Sequence, residues 1–264
     1  MHFNVRFLIR LPLAAWALSL LLAGASARAD DDDAKAAPEA SRWGLGVGLG
    51  TERSLYKGIN SKNIGIPLIS YENSYVRLFG NTLDVKLPSL GPVRFALRTK
   101  VALGEGYKAS DSSFLTGMDT RKGSLDIGLA ATVPTPYAKL TMEWLADASG
   151  NSKGQQLKFG IERPFVWDRR FELTPSLGVT WLDKKYVDYY YGVKPTEATA
   201  ARPEYLGKAT TNVEAALRLG YVIDPHQRVF LEFTETHWGS GITSSPLVDK
   251  TTTPGVRFGY LYRF

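Results

Sequence analysis

The chain has 264 residues, 44% hydrophobic and 12% aromatic, with no cysteine, a mean hydropathy of −0.15 and a formal charge of +6. That is too polar for a bundle of membrane-spanning helices, and the missing cysteine excludes a disulfide framework or a thiolate metal site. Setting aside Arg6, Arg10 and Arg28 of the amino-terminal leader lowers the charge to +3, too small an excess to mark a nucleic-acid partner.

Arg6 and Arg10 precede an apolar run, residues 11–23, interrupted only by Ser19, and small-x-small sites follow at Ala25-Ser26-Ala27 and Ala27-Arg28-Ala29. The pattern predicts a secretory signal peptide over residues 1–29, cleaved after Ala29, since the run is short and four aspartates follow at once. Residues 30–42 are acidic, then rich in Ala and Pro, and read as a disordered periplasmic leader with nothing to bury. Asp30 to Asp33 lack the turn glycine and distal glutamate of a calcium loop. Residues 43–264 form the remaining domain.

Trp43, Leu45, Val47 and Leu49 alternate with Gly44, Gly46, Gly48 and Gly50, so a strand here has one apolar face and one bare face. The run lacks the preceding strand and following helix of a phosphate loop. Its glycines are expected to leave free volume inside a barrel, beside the seam where first and last strands meet. Residues 64–71 read as a second strand, 75–79 and 82–87 as two short ones around Gly80-Asn81, and 93–103 as a longer one. Further strands follow at 125–133, 138–144, 157–161, 171–182, 213–221 and 229–238. Pro175 cannot donate to a ladder, so a bulge is expected there. The last strand carries Val256, Phe258, Tyr260, Tyr262 and Phe264 on one face. Phe258, Tyr260, Tyr262 and Phe264 resemble the closing-strand signal read by the outer-membrane barrel-assembly machinery.

Turns at 72–74, 88–92, 134–136, 164–169 and 224–226 are short, whereas the links at 52–62, 107–122, 149–154, 183–206 and 239–254 are mostly long. With both ends of a barrel in the periplasm, all the short turns fall on the periplasmic side and all the other links outside. The prediction is all-β: a transmembrane antiparallel up-and-down β-barrel of twelve strands, or ten if 75–87 is one kinked region. Its surroundings would be outer-membrane lipid.

On that pattern Arg94, Arg98, Lys100, Lys158, Arg218, Arg257 and Arg263 point inward with Asp126, Glu162, Glu172 and Glu214. They predict either a cross-lumen salt-bridge network or a small anion-favouring pore. Trp43, Trp144, Trp167, Trp181, Trp238, Tyr260 and Tyr262 are read as interface anchors. Tyr189, Tyr190 and Tyr191 form the candidate outer-loop recognition surface, or else fold over the barrel mouth. The two histidines beyond the leader, His226 and His237, are too separated for a metal site, and none is expected. His237 with Ser240 is the one constellation for a lipid hydrolase, though a continuing strand would put them on opposite faces.

The glycine-alternating strand, Ile66-Pro67-Leu68-Ile69-Ser70-Tyr71, Leu115-Thr116-Gly117-Met118-Asp119, Tyr190-Tyr191-Gly192-Val193, Ser245-Pro246-Leu247-Val248 and the terminal Tyr-x-Phe occur in an order that resembles the MipA/OmpV family of outer-membrane proteins. The resemblance covers nearly all of residues 43–264. It implies an outer-membrane barrel and, for some members, a scaffold between a murein hydrolase and a murein synthase. It supplies no catalytic residue and no cofactor. The expected function is therefore a non-enzymatic scaffold, with a narrow diffusion channel as the alternative and a lipid hydrolase third.

Overall fold

A computed structural model describes residues 42–264, so the predicted signal peptide 1–29 and the leader, Arg42 excepted, lie outside the described residues. The strands are β1 (Arg42–Arg53), β2 (Ser61–Glu72), β3 (Val76–Phe79), β4 (Thr82–Lys86), β5 (Arg94–Val101), β6 (Leu125–Pro134), β7 (Lys139–Asp147), β8 (Gln155–Glu162), β9 (Phe165–Trp167), β10 (Phe171–Leu182), β11 (Thr210–Val222), β12 (Gln227–His237) and β13 (Thr252–Arg263). Each pairs antiparallel with its neighbour in the wall, and β13 pairs with β1 from Gly44↔Arg263 to Glu52↔Gly255, which closes the sheet. β8 and β9 lie in one register along β10, as Leu177↔Ile161 and Leu173↔Phe165 show, so the wall has twelve spans.

The predicted turn at 164–169 is correspondingly shorter than expected. Phe165–Trp167 continues the span, and the reversal occurs at Asp168 and Arg169, both with positive φ. The expected bulge at Pro175 is absent, because β10 stays in register with β11 across it. Pro175 instead accepts from the Arg163 N–H at 3.2 Å, where the β8–β9 span is itself broken by Pro164. The donor that the proline lacks is missing at a place where the ladder is already interrupted.

Alternation sorts the side chains by solvent. Leu45, Val47, Leu49, Leu97, Leu129, Met142, Phe159, Leu177, Leu217 and Phe258 all stand exposed on the outer face. Such a band is stable only against hydrocarbon. At the short-turn end it is edged by aromatic contacts: Trp43–Tyr71 (4.4 Å between centroids), Trp167–Phe171 (5.9 Å), Phe171–Tyr221 (4.9 Å) and Tyr262–Phe264 (5.2 Å).

The glycine face of β1 differs from expectation. It opens no free volume, because Leu68 and Leu261, 4% and 6% exposed, pack over it. A Cβ at Gly48 would stand 3.2 Å from the side chains of Ile66 and Leu68, and one at Gly46 would stand 1.9 Å from the Tyr260 carbonyl oxygen. Glycine thus lets neighbouring strands and their leucines close over the seam. A Cβ at Gly50 would meet nothing nearer than 3.6 Å. Gly46→Ala should therefore cost about 1–3 kcal/mol through forced strand separation and deplete the heat-modifiable folded band on a gel. Gly50→Ala should leave that band intact.

Candidate functional site

The inner wall carries ion pairs between strands that are neighbours or next neighbours. Arg98 on β5 binds Asp84 of β4 bidentately, Nε to Oδ1 and Nη2 to Oδ2 both at 2.7 Å, and donates through Nη1 to Glu143 of β7. Lys100 lies 3.8 Å from the same glutamate. Across the barrel wall, Arg218 of β11 and Arg257 of β13 both reach Glu232 of β12, at 2.6 and 3.1 Å. Lys158 meets Glu214 at 3.1 Å, Lys139 pairs with Glu162, and Glu172 accepts from the Thr174 hydroxyl at 2.8 Å. Asp126 accepts from the Gln156 amide at 3.0 Å. Arg94 shares this face opposite Thr132, and Arg263 does so opposite Gly44. These contacts follow the wall rather than crossing the lumen, which corrects the cross-lumen network expected from alternation alone. Asp84, Glu143 and Glu232, the acids that complete the clusters, hold inward positions of the same two-residue period.

The hydrophobic core lies at the long-link end. Links 54–60, 102–124, 183–209 and 238–251 meet there and bury Leu55, Tyr56, Tyr107, Leu115, Met118, Val187, Tyr190, Tyr191, Val193, Ile242, Leu247 and Val248 together. Two short helices serve this core: α1 (Lys184–Tyr191), capped by the Asp183 side chain accepting from the Tyr186 N–H at 2.8 Å, and α2 (Ser240–Thr243). Val187, Tyr190 and Tyr191 take the i, i+3, i+4 spacing of a helix face. That spacing and the capping aspartate before it mark α1 in the sequence of this long link.

The links are tied by hydrogen bonds. Tyr56 hydroxyl donates to the Tyr190 carbonyl (3.1 Å), Lys57 N–H to Leu247 (2.9 Å), Tyr190 hydroxyl to Lys122 (3.2 Å) and Ser245 hydroxyl to Tyr191 (2.6 Å). Arg121 lies at the centre, with 4% of its side chain exposed. It donates through Nη2 to both carboxylate oxygens of Glu197, at 2.8 and 3.0 Å, and through Nε to the Tyr189 carbonyl at 2.7 Å, and its guanidinium lies within 5.9 Å of the Tyr107 and Tyr189 ring centres. Glu197 also accepts from the backbone N–H groups of Asp119 and Lys194, so its charge is fully met. Arg202 donates to the carbonyls of Phe114, Thr116 and Glu197. Burial pushes the Tyr107 phenol up to about 12 and raises Tyr190 and Tyr191 further.

The tyrosine cluster is accordingly no exposed recognition surface. Tyr190 and Tyr191 are 2% and 8% exposed, and the Tyr189 hydroxyl accepts from the Lys122 N–H at 2.8 Å. Their helix turns the apolar faces down into the other links. Trp238 is likewise no interface anchor: its indole donates inward to the Thr253 hydroxyl at 2.9 Å and packs on the core. Trp43, Trp144, Trp167 and Trp181 do face outward. His237 is exposed beside Thr252 and Val213, and no hydrogen bond joins it to Ser240 among the described residues. Of the closing-strand residues, Phe258, Tyr260 and Tyr262 point outward from β13.

Arg98→Ala would leave Asp84 without its cation and Glu143 with only Lys100 at 3.8 Å, each carboxylate on an 11% exposed side chain. Stability should fall by about 3–5 kcal/mol, read as an earlier denaturant midpoint. Lys158→Ala breaks a pair that is 38% and 30% exposed, and its loss should stay within about 1 kcal/mol.

The family described as MltA-interacting protein MipA matches residues 45–264. Outer membrane protein Omp26La of Vibrio anguillarum is 30% identical over 174 residues, 66% of this chain and 64% of that protein. OmpV of Vibrio cholerae is 29% identical over the same shares, so the match spans a little under two thirds of either relative. MltA-interacting protein of Escherichia coli K12 is 25% identical over 84% of this chain and 90% of its own. Among solved structures the chain is similar to the NanC porin (TM-score 0.45, 10% identity, 83% of this chain and 98% of that one). An outer membrane channel from Pseudomonas putida F1 has TM-score 0.45 and 11% identity over 90% of this chain and 100% of that one. The match to 45–264 takes in nearly the whole closed wall and the four links that cap it, and the chain belongs to the MipA/OmpV family of outer-membrane β-barrel proteins.

Proposed function

We propose that this protein is a non-enzymatic scaffold of the outer membrane whose periplasmic turns engage murein-processing enzymes. The observation that supports it is the core at the mouth, where four links bury Leu115, Val187, Ile242 and Leu247 completely. Outer-membrane barrels place their long links outside and their short turns in the periplasm. The capped end therefore faces out, and the short turns face the murein layer. A relative in Escherichia coli is called MltA-interacting protein, which points to a murein hydrolase as the partner class. A barrel capped by its own hydrophobic core suits anchoring better than diffusion, so the narrow channel is the weaker reading.

The purified barrel should be electrically silent in a planar bilayer. Arg121→Ala, which strands Glu197 with a side chain 3% exposed, should loosen the cap by about 3–5 kcal/mol and produce flickering conductance. Immobilised protein should retain a murein hydrolase from a periplasmic extract, and substitutions in turns 87–93 and 223–226 should abolish that retention. Steady openings of the unaltered protein, with ion selectivity reversed by Arg94→Glu and Arg98→Glu, would establish the channel instead.

A further inference from the structure

β2 has twelve residues but meets β3 only at Ser70, Tyr71 and Glu72, because the β3–β4 hairpin turns back at Gly80 and Asn81. On the side away from β1, the outer half of β2 has no strand partner among the described residues. The Ile69 carbonyl accepts from the Gly80 N–H at 3.0 Å on that side. Backbone groups of alternate residues point the same way, so those of Pro67, Gly65 and Asn63 line the gap. Opposite β1, Pro67 pairs with Val47 and Gly65 with Leu49, whose side chains are 42% and 53% exposed in the lipid-facing band. The gap thus opens to hydrocarbon, not to the aqueous mouth.

Its inner wall is apolar, although it belongs to the lumen side. Register turns Ile64, Ile66 and Leu68 inward, and Leu68 is buried while Ile64 and Ile66 are half-buried. A Cβ at Gly80 would lie 3.6 Å from Leu68 and 3.9 Å from Ile66, which places the hairpin tip at the lower end. At the upper end Gly104, with φ +77°, lies against Ile64, and Lys62 Nζ donates to the Gly104 and Gly106 carbonyls at 3.0 and 2.5 Å. The slot is bounded below by a turn, above by a lysine bridge, and behind by three aliphatic side chains.

We propose that this slot is a lateral binding site for an acyl chain of an outer-leaflet lipid. The chain lies along the half-buried Ile64 and Ile66, and the oxygens of its acyl linkage accept from the N–H groups of Gly65 and Asn63, which have no strand partner on that side among the described residues. Unpaired peptide groups at membrane depth cost several kcal/mol, so an oxygen-bearing guest is favoured over bare hydrocarbon. A strand of a second copy is disfavoured, because Pro67 removes one donor from the edge that such pairing would use.

The absence of cysteine allows a direct test, with a bimane fluorophore attached through Ile66→Cys, and through Ile64→Cys should the first fail to fold. In vesicles of phosphatidylcholine brominated along one chain, the label at 66 should lose as much emission as one at the lipid-facing position, attached through Ile69→Cys. Aqueous iodide should leave it unquenched. Ile64→Trp, which enlarges a side chain lining the slot, should abolish bromine quenching at 66 and spare it at 69. Quenching at 66 by iodide, by neither reagent, or only at protein densities that favour dimers would overturn the proposal.

Discussion

Hydrocarbon offers a peptide group no hydrogen bond, and each unpaired one costs several kcal/mol. The wall therefore depends on the ladder between β1 and β13, which removes the two edges that a thirteen-segment sheet would otherwise expose. That ladder is close only because Gly44, Gly46 and Gly48 carry no side chain where the neighbouring strands and leucines come in. A barrel of this size reaches closure by emptying one face of its first strand.

With the wall closed, hydrophobic burial changes place. The aliphatic residues of the spans face lipid and form no core with one another, while the inner face holds arginines and lysines against carboxylates. The aqueous end supplies what burial there is: the only water-driven core among the described residues is the one shared by four links at the mouth. Arg121 and Glu197 lie within that core with full hydrogen-bond complements, so the pair specifies how the links meet more than it adds net stability.

The wall is not uniform. Most spans run eight residues or more, but β3 and β4 have four and five. This shortfall leaves Pro67 and Gly65 on an edge within the lipid-facing band, where the residues tolerated are those that tolerate a missing neighbour. The inward Ile64, Ile66 and Leu68 line the inner side of that edge, so the two irregularities are one local feature.

Two-residue alternation was enough to read the barrel, its twelve spans, the outward aromatic rows and the inward side of Arg98, Lys158, Arg218 and Glu214, because a strand's period directly assigns each side chain to lipid or lumen. The same period places Asp84, Glu143 and Glu232 inward. What it could not supply was contact between segments far apart in sequence. Whether Tyr189 to Tyr191 face solvent or a core depends on four links meeting, and Arg121 finds Glu197 seventy-six residues away. The filling of the glycine face by Leu68 and Leu261, the break opposite Pro175 and the slot beside β2 follow from register between strands. Local sequence sets the period of a strand, and only the folded wall sets what stands opposite it.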